Sequence, residues 1–137
     1  MISMTRIWER LWLGGIDDAE ALAKANPNGI TTVLTLCPER VEHRARGVNY
    51  LSFPIEDGRP IPVARFDSVI DALWENVRWG KVLVHCVAGL SRSPIIVAGW
   101  MHVVGYKTID EALADINRIR PIDPSPVLLR SVKEVLR

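Results

Sequence analysis

Residues 81–104 read KVLVHCVAGLSRSPIIVAGWMHVV, and this stretch decides the fold. Its first part, residues 81–84, is a short apolar run rich in valine, which predicts a buried β-strand. Its last part, residues 94–104, predicts a helix, because proline is tolerated in a first helical turn, where its missing N–H is not required. The sequence therefore places the loop of residues 85–93 between the end of a strand and the start of a helix.

Residues 85–93 have the composition of a pocket for a phosphate dianion. Five residues separate Cys86 from Arg92, a spacing that lets the backbone curl so that several N–H groups point inward. The first turn of the following helix also leaves N–H groups unpaired and carries partial positive charge. Gly89 allows a close approach of the backbone, and Arg92 offers a planar fork of donors to two phosphate oxygens. The predicted phosphate-binding residues are Val87, Ala88, Gly89, Leu90, Ser91 and Arg92.

Cys86 is the predicted nucleophile of this pocket. A free thiol is largely protonated at neutral pH, but a helix N-terminus and a nearby cation favour the thiolate. The same positive field then stabilises the phosphoryl group that the sulfur attacks. We expect His85 to brace the loop, and Ser93 to donate its hydroxyl to the sulfur when the thiolate leaves a phosphocysteine intermediate.

Hydrolysis by this route also needs an acid on a separate segment, to protonate the leaving oxygen. Asp57 is the predicted acid, and Glu56 is its main competitor. Both follow a predicted strand, and Gly58 and Pro60 mark an exposed turn after them. A turn aspartate is often only a solvated turn former, so this role is a hypothesis about Asp57.

The rest of the chain alternates strands with helices. Predicted strands cover residues 7–13, 31–36, 48–53 and 81–84, and predicted helices cover residues 17–25, 62–79, 94–104, 108–118 and 125–136. This alternation predicts an α/β fold with a central, mainly parallel sheet flanked by helices. A length of 137 residues suits a single domain, residues 1–137, and 48% apolar residues can fill its core.

The loop of residues 85–93 resembles the signature of the cysteine-dependent protein tyrosine phosphatase superfamily, and residues 88–93 resemble its small dual-specificity branch. Residues 12–15, residues 53–57 and the pair Arg120-Pro121 resemble other elements of that branch. The resemblance implies a phosphatase that acts through a phosphocysteine intermediate on phosphotyrosine and on phosphoserine or phosphothreonine in proteins. Ser125 departs from the pattern, because relatives often have there an asparagine that braces the loop.

Cys37 follows a predicted strand and lies at the same end of the sheet as Cys86. The segment around it resembles that of certain relatives in which a second cysteine captures the oxidised nucleophile, and this makes Cys37 a possible redox partner of Cys86. The alternative is that Cys37 is a small buried packing residue.

Composition and charge limit the partners, cofactors and location that the sequence allows. A net charge of +1 provides no broad basic surface for nucleic acid or an anionic membrane. Three histidines and two cysteines form no metal-ligand motif, so we expect neither a metal nor a cofactor. The absence of a signal-peptide pattern predicts a cytoplasmic location. We also expect a monomer, and the resemblance implies phosphorylated proteins as substrates. Two alternatives stay open: the same chemistry on a non-protein phosphate (a phosphoinositide or an RNA 5′ end), or a phosphate-binding module without catalysis.

Overall fold

A computed structural model describes residues 3–137, so the first two residues of the predicted domain lie outside the described part. Five strands form one sheet in the order β1-β2-β5-β3-β4. Their bounds are β1 Thr5–Trp8, β2 Leu11–Gly14, β3 Thr32–Thr35, β4 Asn49–Ser52 and β5 Val82–His85. The pair of β1 and β2 is antiparallel, and all other neighbouring pairs are parallel. The strand before the predicted loop, β5, is therefore the central strand of the sheet.

Five helices connect and flank these strands. Their bounds are α1 Ile16–Ala21, α2 Val63–Trp79, α3 Arg92–Val103, α4 Ile109–Ile119 and α5 Pro126–Val135. The side chain of Thr108 accepts a hydrogen bond from Glu111 N and caps α4, and Ser125 caps α5 in the same way through Leu128 N. The predicted α/β class with a mainly parallel sheet is confirmed.

The two faces of the sheet are covered unequally. Side chains alternate between the faces along each strand, so that Leu11 and Leu13 point to one side and Trp12 to the other. The larger core lies between one face and the apolar sides of α2, α3, α4 and α5. The smaller core lies on the other face and includes Ala19 of α1, Ile30 and Val41.

The prediction of a single first strand over residues 7–13 is wrong. The chain instead forms a hairpin, in which Trp8 of β1 pairs with Leu11 of β2 across a turn at residues 9–10. The turn lacks Gly, Pro and Asn, the residues that usually mark one. A long-range contact stabilises it, in which Arg10 Nη1 donates to the carbonyl of Arg78 at 3.0 Å. Within the hairpin, Arg6 Nη2 donates to the carbonyl of Glu9 at 3.0 Å.

Other boundaries shift by a few residues. The helix predicted for residues 17–25 ends at Ala21, and α3 begins at Arg92 rather than at residue 94. The earlier start places Arg92, near the end of the loop, in the first turn of α3. Over residues 3–137, no helix combines the length and the apolar character that a bilayer crossing requires.

Candidate active site

Cys86 lies at the base of the loop, immediately after the central strand, and its side chain is only 2% exposed. The N–H of Gly89 donates to the sulfur at 3.3 Å. The hydroxyl of Ser93 lies 3.2 Å from the sulfur, within reach of donating to a thiolate. The sulfur is therefore held at the bottom of a cradle that offers it at least two donors. Val87, Ala88 and Leu90 form the exposed rim of this cradle.

The loop is clamped from both sides by backbone hydrogen bonds. The N–H of Ile16, at the start of α1, donates to the carbonyl of Val87 at 2.9 Å. On the other side, the N–H of Asp123 donates to the carbonyl of Leu90 at 2.7 Å. Because these two carbonyls accept hydrogen bonds from residues outside the loop, they point outward and the N–H groups of the loop can point inward, as an anion site requires.

Ser125 braces the loop even though it is not the asparagine of related sequences. Its backbone N–H donates to the hydroxyl of Ser91 at 2.8 Å. Its side chain is used elsewhere, as the cap of α5. The support of the loop at this position comes from the main chain, which a sequence pattern cannot register.

His85 is fully buried beneath the loop. Its Nδ1 lies 3.0 Å from the carbonyl of Cys86, and its Nε2 lies 2.8 Å from the hydroxyl of Thr35 on the neighbouring strand. Since a carbonyl can only accept, Nδ1 carries the proton and Nε2 accepts from Thr35. Burial lowers the pKa of His85 below its usual value, so the imidazole is neutral.

Arg92 connects the loop to the segment that carries the predicted acid. Its Nη1 donates to the carbonyl of Ile55 at 3.2 Å. The N–H of Ile55 in turn donates to the carbonyl of Leu36, just beyond β3, at 2.8 Å. Arg92 and the acid segment are thereby held at the end of the sheet where the parallel strands have their carboxyl ends.

Asp57 and Glu56 point to different partners, although both are exposed. Asp57 Oδ1 accepts a hydrogen bond from the hydroxyl of Ser91 at 2.9 Å, which brings the carboxyl group to the edge of the loop. Glu56 pairs instead with Arg59 at 3.2 Å, and both members of that pair are about three-quarters exposed. The structure brings Asp57, and not Glu56, together with the loop.

Arg120 is a residue of the site that the sequence interpretation missed. Its side chain is 3% exposed, and Nη1 donates to the carbonyls of Ser3 and Leu13 and to the hydroxyl of Thr5 at 3.0–3.1 Å. A Cβ on Gly89 would lie 2.6 Å from Arg120 Nη2, so the guanidinium packs directly against the loop. Burial lowers the pKa of Arg120, and the negative charges of Asp18 and Cys86 oppose that shift.

Cys37 is fully buried two residues beyond β3. Its thiol lies 3.7 Å from the carbonyl of Glu39. Burial and the charge of Glu39 raise the pKa of Cys37, while the charge of Arg92 opposes them. Both cysteines of the chain are free. Because β3 lies beside β5 in parallel, Cys37 shares the end of the sheet that carries Cys86. With its pKa raised, the thiol of Cys37 is protonated at neutral pH.

Three tryptophans line a cleft of about 600 Å³ that lies apart from Cys86. Trp8 and Trp74 pack against Trp100 with ring centroids 6.2 and 6.4 Å away. The cleft adjoins the C-terminal end of α3, whereas Arg92 begins that helix at the loop. These tryptophans therefore do not line the loop. Within the described chain, no group of three or more His, Cys, Asp or Glu side chains is arranged to hold a metal ion.

Fold and site together define an α/β protein with a cysteine-containing anion loop at the end of its central strand. The family model for the dual specificity phosphatase catalytic domain matches residues 11–137. The chain therefore belongs to the dual specificity phosphatase family, which confirms the resemblance noted in the sequence.

Individual relatives agree with this assignment. Dual specificity protein phosphatase 15 of Mus musculus is 28% identical over 134 residues, covering 96% of this chain and 57% of that protein. The Homo sapiens protein of the same name is 31% identical over 130 residues, covering 90% of this chain and 43% of that protein. The chain thus spans about half the length of these curated relatives.

Solved structures show the same architecture. The crystal structure of DUSP15 superposes with a TM-score of 0.85 at 27% identity, covering 96% of this chain and 86% of that one. The crystal structure of human DUSP28 superposes with a TM-score of 0.81 at 24% identity, covering 95% and 93%. At 24% identity, the similarity to human DUSP28 is evidence for the fold alone.

Proposed function

We propose that this protein hydrolyses phosphomonoesters on phosphotyrosine and on phosphoserine or phosphothreonine in proteins, through a phosphocysteine intermediate. The observation that carries the proposal is the placement of Cys86 in a cradle of donors with Asp57 at its edge. The sulfur has the N–H of Gly89 at 3.3 Å and the Ser93 hydroxyl at 3.2 Å, and Asp57 Oδ1 lies 2.9 Å from the hydroxyl of Ser91.

In the first step, the thiolate of Cys86 attacks phosphorus. The S–P bond forms as the P–O bond to the substrate breaks, and Asp57 gives its proton to the leaving oxygen. Arg92 and the inward N–H groups of the loop stabilise the charge on the phosphoryl oxygens. The products are the dephosphorylated side chain and phosphocysteine.

In the second step, water attacks the phosphocysteine. The carboxylate of Asp57 takes a proton from the water, the S–P bond breaks, and inorganic phosphate leaves. The electron pair returns to the sulfur, where the hydroxyl of Ser93 donates to the new thiolate. Asp57 is then protonated again and ready for the next cycle.

The substrate class rests on the names of the relatives, which are dual specificity protein phosphatases. The apolar loop residues Val87 and Leu90 fit this class as well, since they add no positive charge for a polyphosphorylated headgroup. We retain the cytoplasm as the proposed location, because its reducing conditions keep thiols such as the two free cysteines reduced.

The test is phosphate release from a panel of phosphotyrosine, phosphoserine and phosphothreonine peptides, with a phosphoinositide and a 5′-phosphorylated RNA as competing substrate classes. Cys86→Ser should abolish turnover yet still bind inorganic phosphate in calorimetry, because the N–H groups and Arg92 remain. Cys37→Ser is the matched control and should keep its turnover under reducing conditions. Turnover by Cys86→Ser within about tenfold of the wild type would rule out catalysis by a cysteine nucleophile.

A further inference from the structure

We propose that Ser91 is a positioning residue for Asp57, and that the backbone N–H of Ser125 fixes the orientation of its hydroxyl. This inference rests on the proposed function, because it assigns a role within that reaction. It concerns three atoms: the backbone nitrogen of Ser125, between α4 and α5, Ser91 Oγ in the loop, and Asp57 Oδ1 of the acid.

The direction of each hydrogen bond follows from the donors available. The N–H of Ser125 can only donate, and it lies 2.8 Å from Ser91 Oγ. That contact occupies one lone pair of the hydroxyl and leaves its single proton for another acceptor. Asp57 Oδ1, at 2.9 Å, is that acceptor. The hydroxyl proton is therefore directed at the carboxyl group rather than rotating freely.

This arrangement distinguishes the two oxygens of Asp57. Because Oδ1 accepts from Ser91, the proton that reaches the leaving group is carried by Oδ2. The carboxyl group is otherwise exposed on a turn, so it would sample many rotamers in the absence of that bond. Ser91 is only 8% exposed and occupies the N-cap position of α3 without a side-chain cap hydrogen bond, so its hydroxyl is left to anchor the exposed acid.

Leaving-group dependence separates positioning of the acid from support of the loop. Ser91→Ala should lower kcat by about 10- to 100-fold for an alkyl phosphate, the equivalent of one hydrogen bond to a charged group. It should change kcat little for an activated aryl phosphate, whose leaving group needs no proton. In an Asp57→Asn background, the same substitution should add no further loss, because there is no acid left to position.

Ser125 supplies an independent route that leaves Ser91 in place. Ser125→Pro removes the backbone donor and the side-chain cap, and its ring carbon takes the place of the N–H that faces Ser91 Oγ at 2.8 Å, so the hydroxyl loses its anchor. The native φ of −62° itself suits proline. Ser125→Ala is the matched control, because it loses the cap and keeps the N–H. The ratio of kcat values for the two substrates should change in Ser125→Pro and stay at the wild-type value in Ser125→Ala.

The outcomes are distinguishable. An inactive wild type overturns the proposed function, and the role of Ser91 with it. An active wild type in which Ser91→Ala lowers kcat equally for both substrates overturns the role of Ser91 alone. The role of Ser91 is also overturned if the loss of kcat from Ser91→Ala adds fully to that of Asp57→Asn. It is overturned as well if the ratio of kcat values for the two substrates is the same in Ser125→Pro and Ser125→Ala.

Discussion

Two neighbouring carboxylates, Glu56 and Asp57, differ mainly in what they contact. Asp57→Asn removes the side chain at the loop edge and should lower kcat by about 10²–10⁴ for substrates with poor leaving groups. It should also abolish the basic limb of the pH profile, which reports the need for a protonated acid. Both effects are measured in steady-state assays with alkyl and aryl phosphates.

Glu56→Gln is the matched control, since Glu56 pairs with the exposed Arg59 rather than with the loop. It should keep kcat within about threefold of the wild type, because an exposed ion pair contributes little. If Glu56→Gln loses its activity while Asp57→Asn stays fully active, the acid is Glu56 and not Asp57.

At this scale the sequence predicts residues whose chemistry is rare and misses those whose role is geometric. Cys86 and Arg92 could be singled out because Gly89 between them and the strand and helix around them agree with an anion loop, whereas a thiol and a guanidinium at that spacing alone would usually be a coincidence. Arg120 could not, because nothing in its neighbours indicates that its guanidinium is buried against Gly89. The hydrogen bond from Ser91 to Asp57 joins positions 34 apart in the chain, and only the fold brings them together.

The loop as an element depends on one glycine. Gly89 has a φ of +71°, and a Cβ there would lie 2.6 Å from Arg120 and 2.8 Å from the backbone of Gly14. Gly89→Ala should therefore displace the N–H that points to Cys86 and lower kcat/KM on the order of 100-fold.

Gly47→Ala provides the control for backbone strain alone. Gly47 has a φ of +79°, and no atom lies within 4 Å of an added Cβ. It should cost about 1–2 kcal/mol of unfolding free energy and leave kcat/KM unchanged. Equal effects of the two substitutions on kcat/KM would show that the loop tolerates the contact with Arg120.

The adjacent ends of β3 and β5 place Cys37 and Cys86 at one edge, and Leu36 N donates to the carbonyl of His85 at 3.0 Å. Mild peroxide should oxidise Cys86 to a sulfenic acid. The Cys37 thiolate would then attack that sulfur, forming a disulfide and expelling hydroxide, which takes up a proton to become water. Because burial raises the pKa of Cys37, the disulfide should form faster as the pH rises beyond the range of an ordinary thiol.

Mass spectrometry of the oxidised protein should reveal a linked Cys37–Cys86 peptide, and a thiol reductant should restore activity. Cys37→Ser should turn this reversible loss into an irreversible one at higher peroxide. If that variant recovers as fully as the wild type, Cys37 is a packing residue only.

Over the whole molecule, sequence periodicity predicts which segments form strands and helices, but not how helices divide between the faces. Helices α2, α3, α4 and α5 pack on one face, whereas α1 packs on the other. The hairpin of β1 and β2 was missed for a similar reason, since contacts with the end of α2 stabilise its turn. Tertiary contacts of this kind leave no local pattern.

The same architecture buries an ionisable side chain, His85, at the end of the central strand, and this should make unfolding depend on pH. Burial lowers the pKa of His85 in the native protein below the ordinary value of 6.5. Below that value the unfolded chain binds a proton that the native protein does not. The free energy of unfolding should therefore be fully maintained above about pH 6.5 and fall as the pH drops below it, by at most about 1.4 kcal/mol per pH unit.

Urea unfolding at about pH 7.5 and about pH 5.5 measures this difference, and His85→Gln is the comparison. The variant should be less stable at both pH values, because it disturbs the contacts with Thr35 and the Cys86 carbonyl, but its stability should change less between them. An equal change in both proteins would mean that His85 does not govern the acid sensitivity of the fold.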